Sequence, residues 1–339
     1  MMGFYLTGYK YTLPSLFSEE QVSIIHDTSY TYGQIEHNRN SPFFPQRSDE
    51  KIMRSDVKEA IVLVNELLEE SGRNIENNTP LFIANGAFIE NPNKYLKRVT
   101  SVYETFTADM TNEDKIRKIY RACPPLIALE TLTNSTMSYI AQYSGLKFHN
   151  TTFGNTSQSF YMAIKESLLV LNKKDVSRAI VGATNCSGVY SFLMNTGVIG
   201  YSKGWKESVG VGVIEVSKSD KAPKSSYCEI EILKQGTAIP ELNNTKTNRT
   251  WSQILPDNSE IIICSGAFNH EENKKDIEYC SKYSKKVISM FEEYGNMGSA
   301  NLMIGLAKGV ALFNGEIQRV DLLDRDVYGR ESLIRLKKC

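Results

Sequence analysis

Apolar residues follow two alternating periods along this chain. Phe4–Tyr9 (FYLTGY) is short, rich in β-forming residues and closed by Gly8, which predicts a buried opening strand. Ser55–Ser71 instead carries Val57, Ala60, Ile61, Val64, Leu67 and Leu68 at three- and four-residue intervals, the pattern of an amphipathic helix. Pro80–Asn85 (PLFIAN) predicts the next strand, Phe160–Leu171 a helix and Ala179–Gly182 a strand. Glu260–Cys264 (EIIIC) then predicts a strand and Ser299–Asn314 a long apolar helix. Strand, helix and strand in that order predict crossover units on a mainly parallel sheet. Their recurrence predicts an α/β chain of two similar halves, residues 1–205 and 206–339. Thr28–Glu50, with many Asn, Ser, Pro and Tyr residues and no sustained period, reads as a loop or a partner-contacting excursion. Gly236–Asn258 is a second polar stretch.

Composition narrows the function classes. Lys plus Arg and Asp plus Glu both total 39 among 339 residues, spread along the chain rather than gathered in blocks. That balance argues against nucleic acid or a charged membrane surface as a partner. Cys123, Cys186, Cys228, Cys264, Cys280 and Cys339 form no C-x-x-C pair and no metal-ligand spacing with the four histidines. They read as reduced, mostly buried thiols of a cytoplasmic protein, and no metal or cofactor is expected. Met1–Thr12 has neither a charged leader nor a sustained apolar run, so no signal peptide, anchor or membrane span is expected there.

The most informative window is Cys123–Asn185. After the cysteine it reads PPLIALETLTNSTMSYIAQYSGLK, then FHNTTFGNTSQSFYMAI, and later KKDVSRAIVGATN. A second window, Gly295–Gly315, reads GNMGSANLMIGLAKGVALFNG. Taken singly, Ser157 is a small polar residue that caps a helix start. Asn296 between glycines is an ordinary turn residue. Asn185 and Cys186 end a buried strand. His149 and His270 have no ligand partners at useful spacing and read as surface or hydrogen-bonding histidines.

Together the windows resemble the β-ketoacyl synthases, in order and over nearly the whole chain. That family has a Pro- and Leu-rich helix, a turn into a strand, a nucleophile elbow and a helix leading to an A-hydrophobic-V-G-G strand. The resemblance implies a thiolase-like fold, two βαβαβ halves in an α-β-α-β-α stack. It lays the reactive cysteine's position on Ser157, beside Gln158, and another catalytic position on Asn296. The remaining one, after the strand Ile261–Cys264, falls on Ser265 or, with slippage, on Gly266. Asp326–Leu336 sits where the family carries a glycine-rich gating loop, but only Gly329 remains, between Tyr328 and Arg330.

These replacements bear on the chemistry. Condensation in this family needs a thiolate to hold the acyl chain, because sulfur is nucleophilic near neutral pH and leaves readily. Serine needs an adjacent base. Two histidines, or a histidine and an asparagine, stabilise the enolate formed on decarboxylation; Asn296 still donates a hydrogen bond, whereas Ser265 does not replace imidazole. The resemblance therefore implies a catalytically silent, chain-length-factor-like subunit, partnered by an active ketosynthase and serving acyl chains on an acyl carrier protein. Its pairing strand would be Phe148, His149, Asn150, Thr151, Thr152 and Phe153. Two alternatives stay open: an acyltransferase using Ser157, and a homodimeric scaffold or lipid-binding protein.

Overall fold

The computed structural model describes residues 3–22, 28–50, 52–71, 78–86, 100–122, 132–154, 156–173, 176–186, 204–237, 255, 259–267, 269–326 and 328–339. β1 (Gly3–Thr12) opens the chain, and β2 (Leu16–Val22) pairs antiparallel with β3 (Thr28–Gln34). α1 (Ser55–Glu70) then precedes β4 (Leu81–Asn85), α2 (Thr133–Ser144) precedes β5 (Asn150–Gly154), and α3 (Gln158–Lys173) precedes β6 (Arg178–Asn185). The short β7 (Lys206–Glu207) leads to β8 (Gly210–Ser219). A second run follows: β9 (Cys228–Thr237), β10 (Ile261–Cys264), α4 (His270–Cys280), β11 (Val287–Ser289), α5 (Asn301–Ala311), β12 (Arg319–Arg325) and β13 (Arg330–Lys338).

Ten strands form one continuous ladder, β11-β10-β12-β13-β9-β1-β8-β6-β4-β5. It divides into two sets of five with the same plan. Counted along the chain, each set lies in the order first, fifth, fourth, second, third: β1-β8-β6-β4-β5 and β9-β13-β12-β10-β11. The fifth strand is antiparallel to its neighbours in both sets, and the last three strands run parallel. Only the pairs Tyr5↔Glu229 and Leu6↔Cys228 join β1 to β9. The chain passes from one set to the other between Ser219 and Cys228, so residue 205 lies before β8, the fifth strand of the first set.

Alternate residues of the parallel strands face opposite sides. Phe82 and Ala84 of β4, and Ile261 and Ile263 of β10, join one core with Phe160, Ile164 and Leu171 of α3 and Leu302, Leu306 and Val310 of α5. Leu81 and Ile83 turn the other way onto Ile61, Val64 and Leu68 of α1 and Ile140 of α2. Ile262 and Cys264 face Cys280 of α4. The result is an α-β-α-β-α stack with α3 and α5 in the middle layer. Both faces of β4, β6 and β10 are buried, which is why these strands read as continuous apolar runs.

Two sequence expectations are corrected. Gly8 does not close the first strand; β1 runs on to Thr12 past an irregularity between Leu6 and Gly8. A side chain at Gly8 would press on Leu67 of α1, so glycine serves close approach of helix to strand. Thr28–Glu50 is not loop throughout, because Thr28–Gln34 pairs as a strand. Its Thr and Tyr residues favour strands despite their polarity. Gly236 and Thr237 end β9, whereas 238–254 and 256–258 of the second polar stretch lie outside the described residues, as do Cys123 and the Pro- and Leu-rich segment after it.

Charge is buried where loops meet the sheets. Arg54, 3% exposed, donates from Nε to Asp56 Oδ1 at 2.9 Å and from its Nη2 to Asp56 Oδ2 at 3.0 Å and Asn85 Oδ1 at 2.6 Å. Asp56 is fully buried at the start of α1, and Asn85 ends β4. The cluster pins helix start to strand end. Arg54→Ala is expected to destabilise the protein by roughly 3–5 kcal/mol, since it leaves the Asp56 carboxylate buried without its charge partner. Urea unfolding measures this, and pairing Arg54→Met with Asp56→Leu should recover much of the loss.

Candidate functional site

The turn between β5 and α3 is held by Ser159, which donates its backbone N–H to Thr156 O at 3.0 Å and accepts from Thr156 N at 3.3 Å through Oγ. Ser157 is thereby set at the start of a sixteen-residue helix, buried beneath the strand ends. On the other sheet set, Ser265 extends β10 by donating its backbone N–H to Leu323 O at 3.0 Å. Both serines arrive at one group, the carboxyl of Asp324 on β12. Ser265 Oγ donates to Asp324 Oδ1 at 3.1 Å, and Gln158 Nε2 donates to Asp324 Oδ2 at 2.6 Å and to Asp324 O at 3.2 Å. Ser157 Oγ faces the same carboxyl without closing a hydrogen bond of ordinary length and angle.

Asp324 is fully buried, and loss of water raises its pKa from the ordinary carboxylate value to about 7. The hydroxyls of Ser157 and Ser265 and the Gln158 amide pull it back down, while the negative charge of Asp326 adds to the rise. Near neutral pH the centre is a poised carboxyl ringed by small polar groups. At Gly266 a Cβ would fall on the Arg325 backbone, so the two strand ends approach too closely there for a side chain. Of the two sequence candidates after β10, only Ser265 carries a side chain.

Asn296 belongs to a different network. Its backbone N–H donates to Lys206 O and its carbonyl accepts from Ser208 N, both at 2.8 Å, which ties the turn after Gly295 to β7. Its Nδ2 reaches both carboxyl oxygens of Glu207 at 3.3 Å, and its Oδ1 accepts from Gly298 N at 3.0 Å and Asn301 Nδ2 at 2.9 Å. Gly295 and Gly298 have φ of +77° and +51°, which glycine adopts without strain. Asn185, at the end of β6, donates to Ser208 O at 3.0 Å and packs against Gly86 and Gly298, so it braces this turn as well as ending a strand. The structure thus brings Ser157 and Ser265 together and engages the Asn296 amide in holding its own loop.

The segment in place of a gating loop is braced as a hairpin. Asp326 Oδ1 accepts from Tyr328 N and Arg330 N at 2.9 Å, and Oδ2 accepts from Arg330 Nε at 2.7 Å. Gly329 has φ of +78°, and the Arg330 guanidinium lies 5.3 Å from the Tyr328 ring centroid. His149 and His270 are exposed, their rings against Phe82 and Phe291 respectively. Sequence reasoning missed Asp324 and its partner role for Gln158, because it sought bases only among histidines. The available signal was an acidic residue directly following the apolar pair Leu322 and Leu323.

β5 ends the ten-stranded ladder. It begins at Asn150, so Phe148 and His149 precede it. Phe148 and Phe153 are half-buried and lean on the central core. Leu81 N donates to His149 O, so in this parallel ladder Thr151 and Phe153 turn their backbone groups to β4, while those of Asn150 and Thr152 face an edge left open among the described residues. Among the described residues no helix is long and apolar enough to cross a membrane.

No family model and no curated protein sequence matches the chain. Solved structures do. A chain from the structure of a type II polyketide synthase acyl-carrier protein in complex with its ketosynthase bound to the hexaketide aligns at TM-score 0.66 and 12% identity over all of both chains. The ketosynthase from module 6 of the bacillaene synthase of Bacillus subtilis 168 aligns at 0.64 and 12%, over 99% of this chain and 70% of its own. A PfaC keto synthase–chain length factor aligns at 0.59 and 14%, over 81% of this chain and 33% of its own. At these identities the likeness is one of fold: the chain has the thiolase-type α/β fold of the ketosynthases.

The buried carboxyl predicts an unusual pH dependence. Because the native state holds the Asp324 proton more tightly than the unfolded chain, its contribution is full below the ordinary carboxylate pKa and is lost as pH rises through about 7. Relative to Asp324→Asn, the wild type should lose up to roughly 4 kcal/mol between about pH 4 and pH 8. Parallel urea titrations of the two proteins measure it, and curves of equal slope would show that the carboxyl is not sealed from water.

Proposed function

We propose that this chain is a ketosynthase-like subunit that does not condense, and that it pairs with an active β-ketoacyl synthase and shapes the acyl pocket of the pair. The observation that carries this reading is the centre around Asp324. Ser157 and Ser265 occupy the positions of the thiol and an imidazole in the ketosynthase resemblance, and Ser265 is hydrogen-bonded to the same buried carboxyl that Ser157 faces. Neither group forms a thioester near neutral pH or acts as a strong cationic donor to an enolate. The Asn296 amide, the third position, is engaged with Glu207 and Asn301.

The open edge of β5 supports the pairing. Its outward N–H and C=O groups at Asn150 and Thr152 are a template for a partner strand. The pairing segment comprises Phe148, His149, Asn150, Thr151, Thr152 and Phe153, and the substrates would be acyl chains on a carrier protein in fatty-acid, polyketide or aryl-polyene synthesis. A second reading, an acyltransferase on Ser157, gains one observation: Asp324 is a carboxyl that faces the hydroxyl and would supply the base. Acyl transfer from a thioester donor by the isolated chain separates the two.

The purified chain is expected to show no condensation of acyl and malonyl carrier-protein substrates, and Ser157→Cys alone should not restore it, because nucleophile and enolate-stabilising groups act as a unit. Radiolabelled malonyl incorporation tests both. Turnover by either protein near the rate of an active synthase would sink the reading.

Co-expression with an active ketosynthase should give a one-to-one complex, burying about 2,000 Å² or more in total. Thr152→Pro removes an outward donor yet spares the β4 ladder, a placement that edge strands tolerate. It should leave the chain folded while weakening the complex at least tenfold by size-exclusion chromatography with mass determination. A well-folded monomer that ignores every ketosynthase offered would rule out the pairing.

A further inference from the structure

Cys264 is the last residue of β10 and Cys280 the last of α4. Their sulfurs lie 3.2 Å apart, both buried. They sit in an apolar cluster with Leu255, Ile262, Leu323 and Leu333 between the second sheet set and its outer helix. Cys186 and Cys228 are also buried, in other parts of the molecule, and Cys339 is exposed. The 264–280 contact is therefore a pair selected by the fold rather than by proximity in sequence.

We propose that Cys264 and Cys280 are a reversible thiol–disulfide pair whose oxidation locks α4 to the end of β10. An S–S bond of about 2.05 Å requires the sulfurs to approach by only about 1 Å from their present contact. The two residues are 16 apart, so the closed loop constrains the unfolded chain appreciably. Cys280 is followed by the exposed Ser281 and Lys282, so fraying of the last helical turn admits a small oxidant. With hydrogen peroxide as oxidant, one thiolate attacks the O–O bond, giving a sulfenic acid and a hydroxide that takes the proton the thiol released and leaves as water. The second thiol displaces a second water from that sulfur and forms the disulfide, so peroxide is reduced and two thiols are oxidised. The Cys280 thiol and burial push the Cys264 thiol well above its ordinary range, which makes the pair slow and keeps it reduced until challenged. Cys264 directly precedes Ser265, so the lock stiffens one wall of the Asp324 centre.

This inference does not depend on the ketosynthase-like reading. The test treats the native full-length protein with a modest excess of hydrogen peroxide at about pH 8, followed by alkylation and non-reducing peptide mapping. The expected product is two hydrogens lighter, yields one linked peptide pair containing Cys264 and Cys280, unfolds several degrees higher and reverts with dithiothreitol. Cys280→Ser and, independently, Cys264→Ala should abolish both the link and the shift. Recovery of the two cysteines as free thiols, as over-oxidised acids or linked to other cysteines would overturn it.

Discussion

A carboxyl shut away from water must gather donors or keep its proton, and Asp324 is placed to do both. Its donors come from opposite directions: Gln158 from the central helix α3, Ser265 from the end of β10. The Ser157 hydroxyl faces the same group. Small hydroxyls and an amide can share one such acceptor. The polar centre thus ties the central helix of the first half to a strand end of the second.

The scaffold itself rests on repetition. Two five-stranded sets with identical order and direction share the middle layer of α3 and α5, and β4, β6 and β10 are buried on both faces. Strand ends carry the side chains that differ from pure core: Asn85 and Asn185 in the first set, Asp324 and Arg325 in the second. In open α/β sheets the carboxyl ends of parallel strands are where side chains vary without disturbing the packed layers. Buried ion pairs follow the same logic. Arg54 with Asp56, and Arg325 with Glu272 and Asp276, tie helix starts to strand ends. Such pairs add little net stability, but their directional bonds oppose other arrangements of helix on sheet.

Periodicity located α1, β4, α3, β6 and β10 to within a few residues, because the spacing of Val57, Ile61, Val64 and Leu68, or the run of Ile261–Ile263, is decided by which side of an element meets the core. The same reasoning failed at Gly8 and at Thr28–Gln34. At Gly8 a neighbouring helix, not the local chain, requires the missing side chain. At Thr28–Gln34 polar residues pair as strand because partners on both sides accept them, β2 antiparallel and β7 parallel. The candidate positions Ser157, Ser265 and Asn296 were legible only through family resemblance, since each is an ordinary capping or turn residue by itself.

By itself, then, the sequence determined the alternation of helices and strands and the apolar runs of β4, β6 and β10. These depend on side-chain type and on neighbours one or two turns away. Tertiary structure alone decided that Asp324 meets Gln158 across 166 positions and Ser265 across 59, that Asn296 closes on Glu207, and that Cys264 lies beside Cys280. Each of these contacts arises where separate layers pack, and nothing in local spacing encodes which strand end will face which helix start. A polar side chain's partner is chosen by the sheets that enclose it, and so is its charge.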